Sequence, residues 1–570
     1  MTFIRLFKHS PNPVIALRVI WIIVIAWYEL GTFYNHVSHC AWPDTTHSLS
    51  HFNTSDTSHV LLVADPQILD HRSYPGRQPW LVWLSQIMVD LNLRKSWSAA
   101  KTLKPDALMF LGDVMDGGRF AMPDDEYESY YERFKNIFTL DGDIPVHYIP
   151  GNHDVGLGPS NLFSDRAQTR YTSHFGPLNQ IIEFANHSFI LLDAPGLVEE
   201  DYQRVERGVS YTHWAAAMPG GPIEFIQTLD YRKFKNAPIL LTHIPLARPN
   251  NALCGPLRER GTIRQGIGFG YQNTLNAEVS QLILEKIRPV AIFSGDDHDY
   301  CEYHYPLSAS DDVPLSSQGG SVKEITVKSF SMAMGVRRPG FQLLSLDSIK
   351  EPQNDHASTS IGTGGKTLAD SLCLLPDQLG IYLSVYVPFI LFSLLVLFVS
   401  NFVRSRSNRQ NVYSHPWSNT VPVGGDWRST TPTTLDDLLA LEKLRRQDQA
   451  DNEDIEEDET MEAEYYSLPE PSVSSSYSSK SKKNRPRRSW SWSFVLWGRR
   501  RRMTIDSSSL TCGMFIPWFS SSSSKVLFHG DSVERGRQRG LVDGFLRDVL
   551  KVAWPPVVLF AVIAWWMFRD

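Results

Sequence analysis

The stretch Val146-His-Tyr-Ile-Pro-Gly-Asn-His-Asp154 decides how the central part of this chain is interpreted. A short run of apolar and aromatic residues, typical of a β-strand, ends in a glycine and three polar side chains. Gly151 allows the backbone to approach other groups closely. We therefore expect Asn152, His153 and Asp154 to lie together at the edge of a sheet.

Four further strand-like runs end in the same way. They directly precede Asp65-Pro-Gln67, Gly112-Asp113, His243 and Gly295-Asp-Asp-His298. Side chains at strand ends are the means by which open α/β sheets build their sites. Between residues 59 and 347 these runs alternate with longer helical stretches, which predicts a layered α/β domain.

The side chains at these five strand ends suit two divalent cations. They are Asp, Asn and His without Cys, a set that favours Mn, Fe, Zn, Mg or Ca over soft ions. A single aspartate after a strand is more often a turn residue or a helix cap, but five such ends together favour a site. Two cations bridged by one carboxylate can bind the oxygens of a phosphate and activate a water, so the predicted chemistry is phosphoester hydrolysis.

The ordered set Asp65, Gly-Asp113, Gly-Asn152-His153-Asp154, His243 and Gly295-x-x-His298 resembles the calcineurin-like metallophosphoesterases over about half of the chain. The resemblance implies a β-sandwich flanked by helices. It also implies that Asp65 and His298 hold one metal, that Asn152 and His243 hold the other, and that Asp113 bridges them. His153 would face the phosphoryl group as a catalytic residue, and Asp154 would orient His153.

Two positions depart from the family pattern. Gln67 stands where many members have His, and Asp296 stands where most have His. Asp296 can still bind a metal, and its charge favours harder ions such as Mn²⁺. Gln67 offers only a neutral amide oxygen and is kept as a candidate metal ligand.

The departures, together with further motifs, are similar to an ER-membrane branch of that family. The motifs are Leu241-Thr-His-Ile-Pro-Leu246, Cys254-Gly-Pro-Leu-Arg258 and the run ending at Tyr303. This likeness implies an Mn²⁺-dependent enzyme, with Zn²⁺ or Fe²⁺ as alternatives, that removes ethanolamine phosphate from a mannose of GPI-anchor glycans. Its partners would be GPI-anchored proteins and the cargo receptors of ER exit. The alternatives are a phosphodiesterase for another lumenal or lipid phosphodiester, and an inactive metal-binding cargo adaptor.

Three apolar stretches predict a multi-pass membrane protein, and the resemblance implies that the membrane is that of the ER. They cover residues 14–34, 381–403 and 552–568. The second is long enough to cross ~30 Å of hydrocarbon, and the third is at the short end of that range. The first could also be a signal peptide, but no small-residue cleavage site follows it, which favours an uncleaved anchor.

Basic residues near the span ends predict the orientation, since Lys and Arg stay on the cytosolic side. They are Arg5, Lys8, Arg404, Arg406, Arg409, Arg547 and Lys551. The resulting topology has a cytosolic tail at 1–13, a lumenal catalytic domain at 59–347 and a cytosolic loop at 404–548. The loop contains acidic, serine-rich and basic runs, which predict disorder. The formal charge of −7 argues against nucleic-acid binding.

Glycosylation and disulfides are expected in the lumenal segment. Asn53 and Asn186 each begin an Asn-x-Ser/Thr sequon there. The four cysteines of the segment are Cys40, Cys254, Cys301 and Cys373. They could form disulfides in an oxidising compartment, and a Cys254–Cys301 bond beside the metal ligands is one alternative. The sequence leaves the pairing open.

Overall fold

The computed structural model describes residues 12–44, 57–140, 142–158, 162–306, 320–347, 368–413, 489–496, 499–506 and 541–569. The chain divides into two units. One comprises Met1–Ser414 with Gln538–Asp570, and the other is His415–Arg537. The first unit contains the five predicted strand ends and the three apolar stretches.

The central region folds as two mixed sheets that pack face to face. The strands are β1 (Thr57–Val63), β2 (Ala107–Phe110), β3 (Val146–Tyr148), β4 (Gln180–Phe184), β5 (His187–Leu192), β6 (Ala237–Thr242), β7 (Ile267–Gly268), β8 (Tyr271–Gln272), β9 (Ala291–Ser294), β10 (Cys301–Pro306), β11 (Ser321–Thr326), β12 (Gly340–Asp347) and β13 (Leu368–Leu374). One sheet has the order β13-β12-β1-β2-β3 and the other β10-β11-β9-β6-β5-β4, while β7 and β8 form a small hairpin. The predicted α/β fold with a β-sandwich is confirmed.

Alternating side chains along the strands separate the inner core from the outer layers. In β1, Val60 and Leu62 pack with the core between the sheets, whereas Leu61 and Val63 pack with the outer core of the first sheet. In β6, Leu240 likewise belongs to the outer core of the second sheet. Strands buried on both faces are apolar at successive positions, which explains the continuous apolar runs in the sequence.

Helices cover the outer face of each sheet. The helices are α1 (Pro13–Ala26), α2 (Thr32–Ser38), α3 (Pro79–Ala100), α4 (Asp124–Ile137), α5 (Asn152–Val155), α6 (Ala167–Phe175), α7 (Ala194–Arg207), α8 (Tyr211–Ala217), α9 (Pro222–Thr228), α10 (Ala277–Ile287), α11 (Gln378–Ile381), α12 (Val387–Tyr413) and α13 (Leu541–Arg569). Residues of α3, α4 and α6 pack on the first sheet, and residues of α7 to α10 pack on the second. Four layers result, with the helices outside.

Among the described residues, three continuous helices are long and apolar enough to cross a membrane. They are Pro13–Ser38, Gln378–Arg406 and Leu541–Arg569, and the predicted spans 14–34, 381–403 and 552–568 lie inside them. The helices pack on one another, with the Trp21 indole donating to the Ser393 hydroxyl at 3.1 Å. At the other end of the bundle, Asp548 accepts from Asn401 at 3.1 Å and from Arg404 at 3.0 Å.

The predicted loop 404–548 contains more regular structure than expected. Helix α12 continues to Tyr413, α13 begins at Leu541, and β14 (Ser489–Leu496) pairs with β15 (Arg499–Asp506) in an antiparallel hairpin. These described residues are in helices and strands, and disorder stays a prediction for the loop. The alternation Ser-Trp-Ser-Trp-Ser-Phe is a strand pattern, and it lay unrecognised beside the basic blocks. The remainder of the loop, and residues 1–11 of the predicted tail, lie outside the described residues.

Two disulfides join the four cysteines. Cys254 bonds to Cys301, which was one alternative from the sequence. Cys40 bonds to Cys373, 333 residues away. Cys40 follows the first apolar helix and Cys373 lies in β13, just before the second. The bond therefore fixes the ends of two candidate membrane-spanning helices to the edge of the sandwich.

A buried ion pair also connects the apolar helices to the sandwich. Glu29 lies in the π-helical turn Trp27–Gly31 between α1 and α2, and it accepts from Lys95 of α3 at 2.7 Å. Both side chains are fully buried. The other carboxylate oxygen of Glu29 accepts from Tyr386 at 2.7 Å and from Gln378 at 3.3 Å, both in the second apolar helix. One carboxylate thus joins three elements.

We expect Lys95→Met to destabilise the full chain strongly. The variant leaves the Glu29 carboxylate buried without its cation, which costs about 3–5 kcal/mol in comparable cases. The double variant Glu29→Gln/Lys95→Met removes both charges and is expected to recover most of the loss. Thermal unfolding in detergent measures this, with the exposed Lys135→Met as the control. Unfolding of Lys95→Met at the wild-type temperature would contradict the role of the pair.

Candidate metal centre

The strand ends bring the predicted ligands together in two groups that share one carboxylate. In one group, ligand atoms of Asp65, Asp113 and His298 all lie within 4.8 Å of one another. In the other, those of Asp113, His243 and Asp296 do so. Asp113 is common to both, which is the geometry expected of a carboxylate that bridges two cations.

Four of these residues adopt a backbone conformation that is unusual for side chains other than glycine. The positive φ angles are 46° at Asp65, 50° at Asp113, 66° at Asp296 and 68° at His298. Such angles are uncommon for non-glycine residues and cluster at functional sites, where the surrounding structure enforces them. Each lies two to four residues beyond the end of a strand, so the turn aims its side chain across the ends of the strands.

Three glycines provide the space that the ligands occupy. A Cβ on Gly112 would lie 2.5 Å from Nδ1 of His243, and one on Gly151 would overlap Oδ1 of Asp113. A Cβ on Gly295 would lie 2.9 Å from the Leu111 carbonyl oxygen. The glycines that precede Asp113, Asn152 and Asp296 in the sequence are therefore required by packing at the centre itself.

His243 presents one ring nitrogen to the second group. Its Nδ1 lies 2.7 Å from the Leu111 carbonyl oxygen, to which it donates. Its Nε2 therefore faces the three oxygens of Asn152 (3.1 Å), Asp113 (3.4 Å) and Asp296 (3.6 Å). A hydrogen bond from one nitrogen that leaves the other for the metal is the usual arrangement of a histidine ligand.

Asn152 is oriented by a carbonyl group from the β7–β8 hairpin. Its Nδ2 donates to the Gly270 carbonyl oxygen at 2.7 Å. The amide oxygen therefore points toward His243, 3.1 Å away. The neutral oxygen of Asn152 therefore lies beside the second group, and its role as a metal ligand stays a prediction.

The buried carboxyl groups of the centre are suited to binding cations. Burial raises the pKa of Asp65 well above its ordinary value, and it raises the pKa of Asp296 to about 7, with further repulsion from Asp113 in both cases. Burial lowers the pKa of His298 to about 4, so this imidazole is neutral near pH 7. Oδ2 of Asp65 is buried without a hydrogen-bond partner. A buried, unpaired carboxylate oxygen among like charges is what a cation would stabilise.

The two neighbouring aspartates after β9 have different roles. Asp296 belongs to the second group, whereas both oxygens of Asp297 accept from Arg258, at 2.6 and 3.1 Å. This bidentate ion pair holds Asp297 away from the metal ligands. The structure therefore separates two carboxylates that are adjacent in sequence.

Gln67 contacts the centre as a hydrogen-bond donor. Its Nε2 donates to Oδ2 of Asp113 at 2.8 Å. The amide nitrogen, rather than the oxygen, thus faces the bridging carboxylate. In this arrangement Gln67 supports Asp113 and is not placed as a metal ligand.

The predicted partner of His153 is wrong. Asp154 does not bond to His153; it accepts from the backbone N–H groups of Val114 (3.2 Å), Met115 (3.0 Å) and Gly151 (3.0 Å). The short helix α5 turns Asp154 back toward the chain after β2, so Asp154 fixes the turn that carries Asp113. Nδ1 of His153 instead lies 2.7 Å from the carbonyl oxygen of Asp116 and 3.3 Å from its carboxylate.

Asp116 is therefore a positioning residue that the sequence did not reveal. Burial alone would lower the pKa of His153, but Asp113 and the bond to Asp116 raise it to about 9. Because Nδ1 is held by Asp116, Nε2 of His153 is left for a substrate. The spacing Gly112-Asp-Val-Met-Asp116 was the signal, since one turn places both carboxylates beside the same imidazole.

Arg119 is a second residue near the centre that sequence reasoning missed. It is buried and donates to the Gly270 carbonyl oxygen at 3.0 Å, beside the bond from Asn152. Its own backbone N–H donates to the His153 carbonyl oxygen at 2.8 Å. Arg119 thus links the β7–β8 hairpin to the segment that carries Asn152 and His153. No pattern in the sequence marked it.

The part of the chain that carries these ligands is similar in sequence to known proteins. The family model described as calcineurin-like phosphoesterase matches residues 58–300. Cell division control protein 1 of Saccharomyces cerevisiae is 33% identical over 417 residues, which cover 70% of this chain and 78% of that protein. A Metallophosphoesterase 1 homolog of Caenorhabditis elegans is 27% identical over 322 residues, which cover 55% and 76%, respectively. Metallophosphoesterase 1 of Mus musculus is 24% identical over 345 residues, which cover 58% and 80%.

We expect Asp113→Asn to abolish phosphoester hydrolysis while the protein still folds. An amide cannot supply comparable charge to two cations. Replacing a residue that only hydrogen-bonds to a metal ligand lowers activity roughly 10- to 100-fold, so we expect a larger loss of activity here. Hydrolysis of an activated phosphodiester by the purified full chain measures this, with unfolding temperature as a check of folding. Wild-type hydrolysis by the variant would contradict the shared-carboxylate geometry.

The adjacent aspartates provide a matched pair of variants. We expect Asp296→Asn to weaken binding of the second cation by at least about tenfold, because a charged ligand becomes neutral. Asp297→Asn should leave both affinities near the wild-type values, since its carboxylate bonds Arg258. Titration of the metal-free full chain with Mn²⁺ separates the two binding steps. The opposite ranking of the two variants would show that Asp297 is the ligand.

Proposed function

The chain belongs to the calcineurin-like phosphoesterase family, and on that basis we propose that it removes ethanolamine phosphate from a mannose of GPI-anchor glycans in the ER lumen. The family resemblance inferred from the sequence is confirmed by the family model and the relatives. The protein is thus a metal-dependent phosphoester hydrolase. Three parts of this statement are proposals: the glycan substrate, the ER lumen as the compartment, and Mn²⁺ as the metal.

The ligand set suits a pair of divalent cations. Asp65 and His298 would hold one, Asn152, His243 and Asp296 the other, and Asp113 both. When bound, such a pair supplies Lewis-acid polarisation of the phosphoryl group and activation of a water. Carboxylate oxygens outnumber imidazoles in this set, which supports Mn²⁺ over softer ions.

In this proposal His153 acts on the leaving group. Its side chain is 24% exposed, whereas the side chains of Asp65, Asp113 and His243 are buried. Asp116 occupies Nδ1, which leaves Nε2 of this partly exposed side chain to contact a substrate. Water would add to phosphorus, the bond from phosphorus to the mannose oxygen would break, and Nε2 of His153 would give its proton to that oxygen. The products are a mannose hydroxyl and phosphoethanolamine.

One observation supports a membrane-attached substrate above all others. The sandwich that carries the metal centre is joined to two apolar helices through the buried Glu29–Lys95 pair and the Cys40–Cys373 bond. An enzyme held this firmly to a bilayer meets substrates that are themselves attached to it. GPI glycans, which the sequence resemblance implies, satisfy that condition.

The proposed lumenal orientation agrees with the disulfides and with one sequon. Disulfides such as Cys254–Cys301 persist in oxidising compartments. Asn186 is exposed in the turn between β4 and β5, where a glycan can be attached. Asn53 lies outside the described residues. A lipid phosphodiester remains a second candidate substrate, favoured by the same attachment to the bilayer.

The decisive experiment is the structure of GPI glycans in cells that lack this chain. We expect the glycans to retain an additional ethanolamine phosphate, and full-length wild type or the exposed control Asp125→Asn to remove it. Asp113→Asn should fail to do so. Mass spectrometry of released glycans measures the result. Unchanged glycans, with active hydrolysis of a phosphodiester by the purified chain, would assign a different substrate.

A further inference from the structure

A cavity lies where the sandwich meets the apolar helices, away from the metal centre. Its volume is about 660 Å³. Its walls come from three places: the end of the first apolar helix, the start of the second, and the loop that contains Arg337 and Arg338. A bilayer crossed by these two candidate spans would have its headgroups at the level of the cavity, because the cavity lies at the end of one span and the start of the other.

The wall on the side of the sandwich is basic. Arg337 and Arg338 are exposed, and the side chain of Arg337 is 83% accessible. Arg337 lies 3.4 Å from the carboxylate of Asp377. Within the described part of the chain, Arg338 has no ion-pair partner. Two guanidinium groups and one carboxylate leave a net positive charge, which complements a single phosphodiester.

The opposite wall is apolar and belongs to the helix that enters the membrane. Leu379, Ile381 and Leu383 line it, and Leu379 and Leu383 are exposed. Tyr28 of the first apolar helix completes this side. A basic wall above an apolar one matches a molecule with a charged headgroup and hydrocarbon chains.

The basic loop is held rigidly and leads to the metal centre. Glu259 accepts from the backbone N–H groups of Arg337 at 2.7 Å and Arg338 at 3.1 Å, and it pairs with the buried Lys328 at 2.8 Å. Ser329, next in sequence, donates to the Asp65 carbonyl oxygen at 2.9 Å. Arg337 lies eight positions after Ser329, a span of at most ~28 Å. One extended molecule can therefore reach both places.

We propose that this cavity binds the phosphatidylinositol end of the substrate, with the phosphodiester on Arg337 and Arg338 and the acyl chains along Leu379 and Leu383. The inference rests on the proposed function and adds where the lipid of the glycolipid is held. Asp377 and Ser384 at the cavity provide hydrogen-bonding groups for inositol hydroxyls. A zwitterionic lipid fits less well, because its ammonium group would face the arginines.

The test uses the full chain in detergent with phosphatidylinositol and phosphatidylcholine supplied in equal amounts. We expect the wild type to retain phosphatidylinositol preferentially when bound lipids are measured by mass spectrometry. Arg337→Glu/Arg338→Glu should retain at most about one tenth as much, since two charge-assisted contacts become repulsive. Lys233→Glu/Lys235→Glu, which makes the same charge change at exposed positions, should behave as the wild type. Equal retention of both lipids by the wild type would overturn the proposal.

A second measurement separates this inference from the proposed function. Arg337→Glu/Arg338→Glu should raise KM for a GPI glycolipid about tenfold and leave hydrolysis of bis(p-nitrophenyl) phosphate, a soluble diester, unchanged. Cleavage of the glycolipid with a wild-type KM would overturn the lipid site alone. Preferential retention of phosphatidylinositol by a wild type that cleaves no GPI would overturn the proposed function alone. Displacement of the lipid by inorganic phosphate at similar concentration would assign the arginines to free phosphate instead.

Discussion

The concentration of negative charge around Asp113 is the constraint on which the rest of this structure depends. Three buried or nearly buried carboxylates converge with two imidazoles, and burial of such groups is unfavourable without compensation. The fold supplies part of that compensation through Gln67, the His243 ring and the backbone amide of His153, which all contact Asp113. The remaining charge is what makes the centre a cation site. Glycines and left-handed turns are the structural cost of bringing these side chains together.

The same physical problem is solved differently at the membrane junction. There a single buried carboxylate, that of Glu29, is neutralised by Lys95 and satisfied by Tyr386. Every charge has a protein partner, so this cluster is a connection rather than a ligand site. The metal centre leaves an oxygen of Asp65 unpaired, whereas the junction leaves none of the oxygens of Glu29 unpaired. An unpaired buried oxygen is thus typical of a ligand-binding site, whereas fully paired charges are typical of a structural contact.

Much of the fold and of the ligand set could be predicted because both depend on local patterns. Apolar runs predicted the strands. Polar residues that follow neighbouring strands lie at the same edge of the sheet, and this does not depend on the structure of the loops between the strands. Hydrogen-bond partners could not be predicted in this way. Whether His153 bonds to Asp154 or Asp116 depends on one turn of helix, and Lys95 meets Glu29 across 66 residues of sequence. The β14–β15 hairpin shows the opposite failure, since its alternating pattern was present and overlooked.

The bond between Cys40 and Cys373 has a consequence for biosynthesis. At about 5–20 residues per second, roughly 15 to 70 seconds of translation separate the two cysteines. During that time Cys40 has no native partner, because the chain that carries Cys373 has not yet been made. β12 is the antiparallel neighbour of β1 and arrives late as well, so the sheet beside Cys40 is completed at nearly the same moment. The native pairing of Cys40 therefore requires its thiol to stay unpaired until the last strands of this sheet have been made.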